Sequence, residues 1–117
     1  MPNDNYVDYD KKLDYIKENS SYASRIEILS EELVEATHEA QKLARIERGE
    51  QPVANNIDKS KIVEKLFGEL CDVAVGLYGM GWGPESFTVN NVLVKKKIYR
   101  WYNRLKLKEM EGENNND

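Results

Sequence analysis

Apolar residues recur along this chain at three- and four-residue spacing, and glycine and proline gather at only a few points. That periodicity predicts helices rather than strands. Met1 to Asn5 reads as a loose polar opening, and Tyr6 to Lys17 as a short helix with Leu13 and Ile16 on one side. Asn19, Ser20 and Ser21 make a break. A long helix follows from about Ala23 to Arg48, aligning Ile26, Leu29, Leu33, Ala36, Ala40, Leu43 and Ala44 and ending at Gly49. Gln51 to Lys59, with Pro52, Asn55 and Asn56, reads as a loop, and Asp58 or Ser60 as the cap of a helix from Ser60 to Tyr78. Gly79, Gly81, Gly83 and Pro84 predict a hinge before a last helix from about Glu85 to Lys108. Residues 109–117 are expected to form a flexible acidic tail. The fold class is therefore all-α, a bundle of about four helices, and 117 residues fit a single domain.

Carboxylates break the apolar pattern at particular places. Projected at about 100° per residue, Glu32 falls at the edge of the long helix's apolar stripe, with Glu39 close beside it and Glu35 further round. Glu31 turns outward. On the next helix Glu69 lies inside the apolar face, and Asp72 borders a segment, Leu70 to Leu77, that is otherwise apolar nearly all round. A carboxylate in such a place must be protonated, paired or bound to a cation. Lys65, four positions before Glu69, is expected at most to make a half-solvated local pair. Two pairs of carboxylates spaced by three residues on facing helices suit a hard cation, Mg²⁺ or Mn²⁺, with Glu32, Glu35, Glu69 and Asp72 as its ligands.

Composition narrows the chemistry further. Seventeen basic and 21 acidic residues give a net charge of -4, which disfavours a protein that coats a nucleic acid polymer. Cys71 and His38 are alone of their types, which removes zinc spacing and an intrachain disulfide. No phosphate loop or nucleophile elbow occurs, leaving metal-activated water as the candidate reaction. No apolar run is long enough to span a membrane and no leader pattern opens the sequence, so a cytoplasmic protein is expected. On the last helix Lys97, Arg100 and Arg104 share one side, as either a solvated basic face or a surface for phosphates.

Glu31-Glu32-Leu33-Val34-Glu35 followed by Glu69-Leu70-Cys71-Asp72 resembles the EExxE and ExxD signature of the MazG-like all-α nucleoside triphosphate pyrophosphohydrolases. The likeness covers roughly residues 25 to 105. It implies Mg²⁺-dependent hydrolysis of a (deoxy)nucleoside triphosphate to the monophosphate and pyrophosphate, serving nucleotide-pool housecleaning. It makes Glu32, Glu35, Glu69 and Asp72 metal ligands, gives Glu31 or Glu32 the orientation of the attacking water, and gives Lys97, Arg100 and Arg104 the phosphates. Glu39 is a spare candidate. The family's Asn in the last helix is replaced here by Ile98 and Tyr99, with Asn91 and Asn103 as substitutes. An apolar helix too exposed for one chain to cover, and the family pattern, both imply a homodimer or homotetramer. The rival readings are a non-catalytic helical interaction or regulatory module with a structural metal site, and the same fold acting on phosphoribosyl-ATP.

Overall fold

In the computed structural model, which describes residues 8–50 and 59–115, the chain is all-α: α1 spans Tyr9–Glu18, α2 Tyr22–Glu47, α3 Lys59–Gly79 and α4 Val92–Asn115. Among the described residues there is no strand. The expected loose opening, the loop from Gln51 and the Asp58 cap lie outside the described residues. Two compact units divide the chain, Met1–Trp82 and Gly83–Asp117.

Local chemistry sets the ends of the helices in the first unit. The Asp8 carboxylate accepts from the Lys11 amide at 3.0 Å and the Ser21 hydroxyl from the Ser24 amide at 3.0 Å, so each satisfies a first-turn donor. Gly49, at φ 70°, closes α2: its amide donates to the Ile46 carbonyl and that of Glu50 to the Arg45 carbonyl, both at 3.0 Å. Gly81, at φ 89°, repeats the motif after α3, with Gly81 donating to Tyr78 and Trp82 to Leu77. These are left-handed glycine stops, a conformation that a Cβ would strain.

Helices α2 and α3 pack antiparallel, and α1 packs on α3. Leu29 meets Gly76 near one end of the pair, and Glu47 pairs with Lys59 near the other. Along this seam α2 presents Leu29, Glu32, Ala36, Glu39 and Leu43, and α3 presents Ile62, Leu66, Glu69, Val73 and Gly76, all buried or half-buried. That is alternating three- and four-residue spacing, the rhythm of antiparallel helix packing. The seam is rotated from the projected stripe, for Ile26, Leu33 and Ala40 are exposed and Glu39 is buried. Leu70 to Leu77 is likewise covered on one side only, with Val73 and Gly76 buried and Leu70, Cys71, Ala74 and Val75 exposed. Arg25 ties the helix ends together. Its Nε donates to the Gly79 carbonyl at 2.8 Å, and its Nη1 donates to the carbonyls of Lys17 at 2.9 Å and Ser20 at 2.6 Å. The guanidinium thus serves carbonyls at the ends of α1 and α3 that their own helices leave unpaired.

In the second unit the last helix does not begin at Glu85. Pro84–Phe87 forms one short 3-10 turn, after which Thr88 is extended at ψ 167°. Asn91 then restarts the chain: its side-chain oxygen accepts from the Leu93 and Val94 amides, and its Nδ2 donates to the Ser86 carbonyl at 2.9 Å. Nor does the helix stop near Lys108. The Lys106–Glu109 pair at 3.3 Å and good helix formers around it carry α4 on to Asn115, through most of the expected flexible tail.

Candidate metal centre

The α2–α3 seam would bury only apolar side chains if packing alone had chosen it. Instead Glu32, Glu39 and Glu69 occupy seam positions, and Glu35 lies one turn along α2 from Glu32 and Glu39. Antiparallel packing brings Glu32 and Glu35 opposite Glu69, and one carboxylate oxygen from each of the three lies within 4.8 Å of the others. Oε2 of Glu32 and Oε2 of Glu69 are buried and have no hydrogen-bond partner. Buried polar atoms in folded proteins are ordinarily paired, so orphan oxygens on two carboxylates of one cluster call for a donor or a cation.

Electrostatics agrees with the crowding. Burial pushes the Glu32 carboxyl above its ordinary range, helped by the charges of Glu35, Asp72, Glu69 and, least, Glu31. Glu69 is raised too, first by burial, then by a hydrogen bond with Glu35 and the charges of Glu35 and Asp72. Only Lys65 acts on Glu69 in the opposite sense. The neighbouring carboxylates therefore make Glu32 and Glu69 harder to ionise, and a divalent cation held among them would remove that penalty.

The eight residues singled out from the sequence fall into four groups. Glu32, Glu35 and Glu69 form the cluster. Asp72 stands outside those three but close enough for its charge to act on both Glu32 and Glu69, and it lines a recess beside them. Lys97, Arg100 and Arg104 lie on α4, in the second unit. Glu31, assigned to water orientation, is exposed on α2. The recess, about 280 Å³, is walled by Ile16, Ile28 and Val75, with Glu32 and Asp72 beside them.

One feature of the site escaped the sequence. Lys65 does not pair with Glu69; its Nζ lies 3.0 Å from Oε1 of Glu39, which is 6% exposed and also 3.7 Å from Lys42 Nζ. The hydrogen bond from Lys65 leads the causes that hold the Glu39 carboxyl below its ordinary range, and Glu39 in turn raises Lys65. The signal was available as spacing: Glu39 follows Glu35 by four residues, Lys65 precedes Glu69 by four, and antiparallel helices put them opposite one another.

No protein-family model, curated protein or solved structure matches the chain. Fold and site define it as an all-α protein with a carboxylate cluster between two antiparallel helices.

Proposed function

We propose that the protein is a Mg²⁺-dependent nucleoside triphosphate pyrophosphohydrolase of the MazG-like kind, with Mn²⁺ as an alternative ion. The observation that carries the reading is the convergence of Glu32, Glu35 and Glu69 within 4.8 Å, with buried oxygens that lack partners. Oxygen-only donors of this kind fit a hard divalent cation and do not fit zinc. Glu32, Glu35 and Glu69 would hold the ion, with Asp72 beside them. When bound, such an ion neutralises phosphate oxygens and lowers the pKa of water. Glu32, with one oxygen buried and unpartnered, is better placed than exposed Glu31 to orient a water and take its proton. Lys97, Arg100 and Arg104 have a phosphate-binding role by resemblance alone.

A homo-oligomer belongs to the same reading. Ile26, Leu33 and Val34 on α2 and Val63, Phe67 and Leu70 on α3 are 41–69% exposed, whereas the buried apolar side chains among the described residues are Ala36, Ile62 and Val73. A second copy covering such faces would complete the thin core. No described helix is long and apolar enough to cross a membrane.

The decisive assay is monophosphate and pyrophosphate release from a panel of canonical and damaged (deoxy)nucleoside triphosphates with Mg²⁺ or Mn²⁺. Activity in the wild type that disappears in Glu69→Gln, with helicity intact, supports the reading. Turnover retained in that variant refutes it, and ion binding without turnover of any nucleotide favours the non-catalytic module.

A further inference from the structure

Glu39 and Lys65 stand one helical turn, about 6 Å of rise, along the seam from Glu35 and Glu69. Glu39 is more than nine-tenths buried, and its Oε2 is buried without a hydrogen-bond partner. Its Oε1 holds Lys65 Nζ at 3.0 Å. A pair that merely stapled two helices would do so as well with both ends enclosed. Here the carboxylate is enclosed while the lysine side chain stays 60% exposed, and its charge reaches both Glu69 and Glu35. An ammonium has three donors, and Glu39 occupies one of them.

Charge balance gives the remaining donors a purpose. Glu32, Glu35, Glu69 and Asp72 carry more negative charge when ionised than one divalent ion cancels, so an approaching phosphate would meet a net repulsion. A positive charge at the cluster's edge offsets it. The enclosed Glu39 holds the ammonium at 3.0 Å, on the turn of the seam next to the cluster.

Resting on the pyrophosphohydrolase reading, we infer that Lys65 is a substrate-binding residue that donates to a phosphate oxygen of the polyphosphate at the carboxylate cluster, and that Glu39 is the positioning residue that holds it there. The test is titration calorimetry on the full chain, with Mn²⁺ alone and then with inorganic pyrophosphate at saturating Mn²⁺. Wild type is compared with K65A, K65R and E39Q, with circular dichroism as the check on folding.

K65A should keep its Mn²⁺ affinity within about threefold and lose roughly ten- to a hundredfold in pyrophosphate affinity, the range of one charge-assisted hydrogen bond. K65R should recover most of that loss. E39Q should show an intermediate loss although Lys65 is intact, which a merely structural lysine would not produce. Pyrophosphate binding unchanged in K65A overturns the inference, and so does a parallel loss of Mn²⁺ affinity, which would make Lys65 part of the cluster's scaffold. If K65A loses helicity, K65Q, which keeps most of the side chain, is read by the same outcomes. Wild type that binds no Mn²⁺ overturns the metal reading itself, and the first titration shows that separately.

Discussion

Two glycines on α3 should respond in opposite senses to the same substitution. An ideal Cβ built on Gly76 would lie 3.1 Å from Cδ1 and 3.3 Å from Cα of Leu29. A leucine methyl can turn aside, but the second contact is with the backbone of α2, so the helix itself must yield by a few tenths of an ångström. A Cβ on Gly68 meets nothing within 4 Å. Replacing an interior helical glycine with alanine gains about 0.8–1 kcal/mol. Overpacking a close contact costs about 1–3 kcal/mol. Gly68→Ala should therefore stabilise by up to about 1 kcal/mol, and Gly76→Ala should destabilise by up to about 2 kcal/mol. On the scale of a chain this size, those are a rise of about 4 °C and a fall of up to about 8 °C in Tm. Thermal unfolding followed by far-UV circular dichroism in EDTA measures both. Gly76 lies one turn beyond Asp72 and Leu29 one turn before Glu32, so the contact also sets how closely the carboxylates approach. Gly76→Ala should weaken Mn²⁺ binding, and Gly68→Ala should not. Equal stabilisation by both alanines would refute the close approach of α2 and α3 at this end.

Further outcomes follow from the cluster, its salt bridge and the exposed faces. In EDTA at neutral pH, Glu69→Gln should melt above wild type: a carboxyl raised in the fold penalises folding little below 4.5, increasingly as pH rises through its raised value, and constantly thereafter. A variant difference that does not grow over that window would refute the burial of an uncompensated Glu69. Mg²⁺ or Mn²⁺ at a hundred times its Kd should stabilise wild type by about 2.7 kcal/mol, about 10 °C, and Glu69→Gln far less; differential scanning fluorimetry reads both. Glu39→Gln should behave in the opposite sense to Glu69→Gln, less stable than wild type at neutral pH, with the difference fading as pH falls below 4.5 through the lowered value. Arg25→Met should cost roughly 2–3 kcal/mol in denaturant unfolding, since hydrogen bonds from a charged donor are worth about 1.5–3 kcal/mol each before solvent screening. Phe67→Glu, at a side chain 69% exposed, should shift sedimentation toward monomer with helicity unchanged.

The sequence made the helices legible because capping and periodicity are local. The left-handed stop at Gly49 and the break at Ser21 fall where the residue types require them, within a position of the expected ends. The start of α4 was less legible. Pro84 is a good first residue for a helix, and only the capping side chain of Asn91 reveals that the helix proper begins at Val92. The packed face of α2 departs from the projected one for a different reason. A projection weighted by hydrophobicity centres on Leu29, Leu33 and Ala36, whereas the packed seam runs through Glu32 and Glu39, whose polarity counts against them in any such weighting. What a charge at a seam position meets is invisible until the opposing helix is known. Once α3 is placed antiparallel, the residues opposite those glutamates are Glu69 and Lys65, one repulsive and one attractive.

That contrast separates the two halves of the seam energetically. At Glu39 the burial of a carboxylate is compensated within the chain by Lys65 and Lys42, so this layer folds with its charges matched. At Glu32, Glu35 and Glu69 the chain supplies mainly further carboxylates, with the charge of Lys65 the smallest influence on Glu69, and most of the compensation has to arrive from outside or as protons. A fold with three buried apolar side chains among its described residues has little stability with which to absorb such a layer for no return. Packing requirements alone would have placed leucine or alanine at positions 32 and 69, as they did at positions 29, 36 and 43. The proposed ion would give the carboxylate layer its use, and on that proposal the stability that Glu69→Gln gains in EDTA should be matched by an ion-dependent stabilisation that the wild type shows far more strongly.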